Sequence, residues 1–156
     1  MLKLTKKADY GLISLKHLAI KHESASAKEI SDSYAIPLPL LSKVLQKLAR
    51  TGFLQSEHGT NGGYRLRMPP EQISVLAVIR AIDGPIVLTS CFTDDMMCDQ
   101  ADRCNVREPL RKLHDRIQEL LSGISILDMC DEEEASECGV GAMSPAHTAL
   151  HEIRNL

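Results

Sequence analysis

Ala35-Ile36-Pro37-Leu38-Pro39-Leu40-Leu41-Ser42-Lys43-Val44-Leu45-Gln46-Lys47-Leu48-Ala49-Arg50-Thr51-Gly52 is the stretch that decides the fold. Ala35-Ile36-Pro37 breaks the chain, because a proline pushes the residue before it away from helical geometry. A helix is expected from about Leu38 to Thr51. Its residues Leu41, Val44, Leu45 and Leu48 fall at i, i+3, i+4 and i+7, one face of a helix. Gly52 stands where a left-handed residue closes the last turn. With that face buried, Pro39, Leu40, Ser42, Lys43, Gln46, Lys47 and Arg50 point outward.

Upstream, Ser24 or Ser26 caps a short helix, Ala27 to about Tyr34, and Ser26 with Glu29 three residues on makes a capping-box pattern. Before it, Thr5 caps a helix running to about Lys21, with Leu12, Leu15, Leu18 and Ala19 as its buried stripe. Downstream, Phe53–His58 and Tyr64–Arg67 flank the turn Gly59-Thr60-Asn61-Gly62-Gly63 and predict a β-hairpin. Three helices followed by a hairpin make a winged helix-turn-helix. Pro69-Pro70 ends it; another helix is expected from about Ser74 to Ile82, stopped by Asp83-Gly84-Pro85.

In such a fold the first turns of the second motif helix meet base edges, and later basic residues meet phosphates. Pro39, Leu40, Ser42 and Lys43 are therefore assigned to base or methyl contact, and Gln46, Lys47 and Arg50 to phosphates. The wing tip adds His58, Gly59, Thr60 and Asn61, with Arg65 beside it. Thr5, Lys6 and Lys28 complete the expected DNA surface. The glycine run is no phosphate-binding P-loop, since no Gly-Lys-Ser/Thr follows it.

Charge agrees with this division. Residues 1–68 hold eleven Lys/Arg against five Asp/Glu, and residues 69–156 hold seven against sixteen. A basic half suits phosphates, from which Lys and Arg displace counterions. Trp is absent and Phe and Tyr total five, which disfavours a single-stranded RNA binder that needs rings for stacking. No nucleophile–base arrangement, dinucleotide fingerprint or HExxH pair is present, so an enzyme is not expected. The apolar run Leu12–Ile20 is interrupted by Lys16-His17, too polar for a secretory signal or a membrane span. A cytoplasmic protein with no membrane partner is expected.

Cys91, Cys98 and Cys104 form C-x6-C-x5-C within fourteen residues. Cysteines this close in a reducing compartment point to sulfur chemistry. Three thiolates suit an iron–sulfur cluster or zinc, with a fourth ligand from elsewhere. Beyond them Leu110, Leu113, Ile117, Leu120, Ile124 and Leu127 repeat at 3-4-3-4 spacing, apolar a and d positions of a short coiled coil. The fold class expected is mainly α with a small β-hairpin wing, a winged helix-turn-helix plus a long dimerisation helix. Its parts are the head (1–84), a cysteine-containing loop (85–105), the dimerisation helix and a short terminal helix (106–130), and an acidic tail (131–156). A homodimer on a palindromic or pseudo-palindromic double-stranded promoter site follows, each head taking one half-site.

Leu4-Thr5-Lys6-Lys7-Ala8-Asp9-Tyr10, the wing Gly59-Thr60-Asn61-Gly62-Gly63-Tyr64, Ile79-Arg80-Ala81-Ile82-Asp83-Gly84 and the three cysteines appear in this order. Together they resemble the IscR/NsrR family of iron–sulfur transcription regulators, and most of all the regulators of the SUF cluster-assembly system. The resemblance covers about residues 2–130. It implies a dimeric repressor or activator whose two-iron or four-iron cluster is held by Cys91, Cys98 and Cys104 and alters DNA affinity. IscR-type members carry a histidine three residues after the last cysteine; here Arg107 stands there, and a guanidinium has no lone pair to offer. NsrR-type members use an aspartate near the N-terminus of the partner subunit, a place Asp9 matches. Glu108 and His114 are reserves for that ligand. Cys130 reads as a buried structural thiol and Cys138 as a tail thiol. The alternatives are a nitric-oxide or redox-responsive repressor of the same family, or, in another class, a zinc-binding or electron-transfer protein.

Overall fold

The computed structural model describes residues 4–59, 62–89, 92, 98, 100 and 103–130. Helix α1 (Lys6–Lys21) starts at Thr5, whose hydroxyl accepts the Ala8 amide. Helix α2 (Ala27–Tyr34) starts at Ser26, whose hydroxyl accepts the Glu29 amide at 3.1 Å. The Glu29 carboxylate takes the Ser26 backbone N–H in return, the reciprocal half of the capping box. Between α2 and the next helix, Ala35 adopts left-handed geometry (φ 50°). The Ser31 hydroxyl donates to the Ile36 carbonyl at 2.6 Å, which fixes the tight turn.

Helix α3 (Leu38–Arg50) buries Leu41, Val44, Leu45 and Leu48, as the spacing predicts. Burial of each such side chain is worth about 1.5–3 kcal/mol. Gly52 closes the helix end at φ 88°. Strands β1 (Leu54–Glu57) and β2 (Gly63–Leu66) pair antiparallel in the register Leu54↔Leu66 to Glu57↔Gly63. Ala25, from the α1–α2 link, bonds both ways to Tyr64 at 3.0 and 2.9 Å and ties the wing to the head. That approach needs Gly63, where a Cβ would lie 2.5 Å from the Ala25 carbonyl oxygen.

A 3₁₀ turn (Pro70–Gln72) leads into α4 (Val75–Asp83), capped by Ser74. Helix α5 (Arg107–Gly123) follows the cysteine-bearing stretch and packs on α4. The chain then returns to the head. The Val75 amide donates to the Ile124 carbonyl and the Ile126 amide to the Ile73 carbonyl, each at 2.8 Å. After a 3₁₀ turn (Leu127–Met129), Ile126 and Cys130 are sealed in the core that α1, α3 and α4 share. Cys130 is thus the buried thiol expected of it, its Sγ donating to the Ile126 carbonyl.

The apolar repeat of the sequence outruns the helix. Gly123 ends α5, so Ile124 is extended and Leu127 sits in the 3₁₀ turn. Ile124 packs against the core of its own chain, because its carbonyl accepts the amide of Val75, the first residue of α4. Cys91, Thr60, Asn61, Cys138 and the tail 131–156 lie outside the described residues.

Candidate functional site

The turn between α2 and α3 presents the tip of α3 to solvent. Leu38 is exposed, as is Pro39, while Leu40 and Ser42 are half-buried. Pro37 and Pro39 bracket this end, so it carries few free amides; it opens without a side-chain cap or an acid in its first turn. Lys43, Gln46 and Arg50 lie exposed along the outer face, Lys28 on the first turn of α2, and His58 and Gly59 at the wing. This is a basic, partly apolar surface of the kind a major groove accepts: apolar side chains suit thymine methyl groups and the lysines suit phosphates.

Three residues assigned to DNA have partners inside the protein. The Lys47 ammonium donates to the Ile82 carbonyl at 2.7 Å. The Thr5 hydroxyl, besides capping α1, lies 2.8 Å from both Asp83 carboxylate oxygens. Arg65 pairs across the wing with Glu57 at 3.0 Å. The sequence offered a signal for Lys47: a lysine on one helix is favoured near the carbonyl end of another, but only the packing says which.

At the start of α1, Asp9 is exposed and lines a cavity of about 450 Å³ with Leu4, Thr5 and Lys6. Of the cysteines, Cys98 is exposed and Cys104 half-buried, both with free thiols. Among the described residues no three potential metal ligands converge. Arg107 sits on the first turn of α5. Glu108 is engaged by Arg111 at 2.8 Å, and that guanidinium holds its carboxyl below the usual carboxylate range.

His114 belongs to a chain of side chains that sequence reasoning missed. Arg80 of α4 donates to the Gln118 carbonyl oxygen, and the Gln118 amide nitrogen faces His114 Nε2. Arginine has no acceptor, so Gln118 must offer it oxygen, and its nitrogen then donates to His114 Nε2. A neutral His114 consequently carries its proton on Nδ1, which is buried without a partner among the described residues. Its ring lies against Phe92, centroids 5.3 Å apart. In this tautomer Nδ1 is a donor.

A winged helix-turn-helix with an outward basic recognition helix defines a DNA-binding transcription regulator. Residues 4–132 match the family described as Rrf2, iron-dependent transcriptional regulator, and the chain belongs to that family. It is 30% identical to the HTH-type transcriptional regulator IscR of Aliivibrio salmonicida, over 87% of this chain and 82% of the relative. It is 33% identical to the HTH-type transcriptional regulator NsrR of Bacillus licheniformis, over 82% and 92% respectively. Among solved structures it is similar to CymR, the global cysteine regulator of B. subtilis (TM-score 0.70, 28% identity, 87% of this chain and 98% of that one). The fold also matches T. potens IscR (TM-score 0.65, 24% identity, 91% and 94%). Among the described residues no helix is long and apolar enough to cross a membrane.

Proposed function

We propose that the chain is a homodimeric regulator that binds a palindromic or pseudo-palindromic promoter site and reports iron–sulfur cluster status, controlling SUF-type cluster-assembly genes. The observation that carries this is the placing of the free thiols. Cys98 and Cys104 lie on the connection that leaves the end of α4, in the DNA-binding head, and enters α5. A cluster held by Cys91, Cys98 and Cys104 would couple a change in that connection to the head. The IscR and NsrR relatives support the same assignment.

The donor chemistry fits such a group: soft thiolates with one further oxygen or nitrogen ligand. When bound, the cluster supplies a centre whose oxidation or loss changes the charge and constraint on the loop. Asp9, with its carboxylate exposed at the start of α1, is the fourth ligand in this reading, contributed to the partner subunit's cysteines. The partner is held along α5, where Val106, Leu113 and Leu120 each keep 51% of their surface in solvent, beside Leu110 and Ile117. A second copy laid on this seam would cover it.

Anaerobic purification with iron, sulfide and zinc analysis tests the site. Iron and acid-labile sulfide together are expected, and both should be lost in Cys98→Ser and Cys104→Ser. Zinc alone would replace this reading with a structural metal site. Asp9→Ala is expected to leave folding and dimerisation intact while the visible absorption of the cluster decays faster.

A further inference from the structure

The carbonyl end of α4 is gripped from two sides. The last carbonyls of any helix lack partners within it. Here the Ile82 carbonyl receives the Lys47 ammonium from α3 at 2.7 Å. Asp83, next in line, is an acid at the helix end that repels acids. Its carboxylate is met by the Thr5 hydroxyl at the opening turn of α1, where negative charge is favoured. The Ile82 side chain is wedged against α1 at Gly11, where a Cβ would stand 2.2 Å from Ile82 Cδ1. One turn of α4 thus joins α1, α3 and, through Gly84 (φ 88°), the stretch that carries the cysteines.

We infer that Lys47 is a positioning residue of the recognition helix rather than a phosphate contact. Its ammonium braces α3 against the end of α4 and so sets the angle at which Leu38, Pro39 and Lys43 are presented to a groove. The same joint lies at the root of the cysteine-bearing stretch, so a displacement of α4's last turn is transmitted to α3 through the Lys47 bond. The inference rests on α3 being the DNA-reading helix and needs no cluster.

The experiment uses cluster-free full-length protein and a duplex selected from random sequence for binding to it. Affinity for that duplex and for a scrambled one is measured across a salt series. Lys43→Met, which removes a cation from the groove face of α3, should lower the slope of log affinity against log salt by about 0.9, as for one phosphate neutralised. Lys47→Met, which keeps the aliphatic stem, should leave the slope unchanged. It should also weaken the selected duplex by about 5-fold or more relative to the scrambled one. Lys47→Arg, which can still reach a carbonyl, should restore that discrimination. A slope lowered by Lys47→Met as much as by Lys43→Met overturns the inference, as does unchanged discrimination with only a lower melting temperature. A Lys43→Met variant without effect on the slope would instead remove α3 from the DNA surface. Amine labelling of the wild type guards against a misfolded variant. Lys47, an exposed side chain whose ammonium is bonded, should be acetylated more slowly than Lys43 in the free protein and change little on DNA, whereas Lys43 should become protected only on DNA. Equal reactivity of the two in the free protein contradicts the bond.

Discussion

Helices α3 and α5 carry the same kind of apolar repeat and use it in opposite ways. In α3 the residues Leu41, Val44, Leu45 and Leu48 are all buried, covered by α1, α2 and α4. In α5 the repeat Leu110, Leu113, Ile117, Leu120 leaves no residue fully buried, and Leu113 and Leu120 remain half in solvent. A periodic stripe states which face of a helix leaves water; it does not state which molecule covers it. The first stripe builds a domain. The second stays half in solvent, and in the proposed dimer a second copy covers it.

The contrast breaks most readily in stability measurements. Leu45→Ala empties a fully buried site and should cost about 2–5 kcal/mol of unfolding free energy in urea, independent of protein concentration. Leu113→Ala should cost little at low concentration, its effect growing only where the dimer is populated. Equal, concentration-independent losses would make α5 an ordinary core helix. The pair Leu113→Glu and Leu120→Glu sharpens the point: sedimentation should show monomers with unchanged helix content. Gly11→Ala comes next, at about 1–3 kcal/mol, because its methyl group would meet the Ile82 side chain of α4. A neutral Gly11→Ala would mean that the joint at the end of α4 yields more easily than the packing implies.

The smallest effect is a pH dependence on the head alone. Burial lowers the pKa of His17, Glu29 pulls it back up, and Lys21 pushes it further down. Its folded pKa is therefore below the ordinary value of about 6.5, and the unfolded chain binds more protons in that window. Stability should fall as pH drops below about 6.5, and His17→Gln should flatten that part of the profile. Glu29, held low chiefly by the Lys21 ammonium, adds stability above its ordinary range that is lost on further acidification. Its carboxylate is 40% exposed, so solvent screening keeps this contribution small.

The head was legible because its signals are local. Thr5 and Ser26 mark helix starts, Pro37 and Gly52 bracket α3, and Gly63 permits the approach of Ala25 to the wing. The spacing of four leucine and valine residues was enough to name the buried face of α3. What escaped was set by long-range packing. Ile124 continues the heptad arithmetic yet belongs to the core, because its backbone pairs with residues fifty positions earlier. Lys47 has the look of a phosphate ligand, and only the arrival of α4 beneath it supplies the Ile82 carbonyl. The Arg80–Gln118–His114 chain adds to an i, i+4 pair on α5 a third member, Arg80, that only the packing of α4 supplies. For the proposed metal centre, the thiol triplet was visible as spacing, but a fourth ligand contributed by a partner subunit would depend on how two chains meet, which no single-chain pattern encodes.

In the proposed mechanism the state of the cysteine loop is read at the DNA surface. The most direct test is an anaerobic titration of a SUF-type promoter fragment with cluster-loaded and cluster-free protein at one fixed salt concentration. The account predicts affinities differing by about 5- to 150-fold, a coupling of about 1–3 kcal/mol. Equal affinities for the two forms would contradict it.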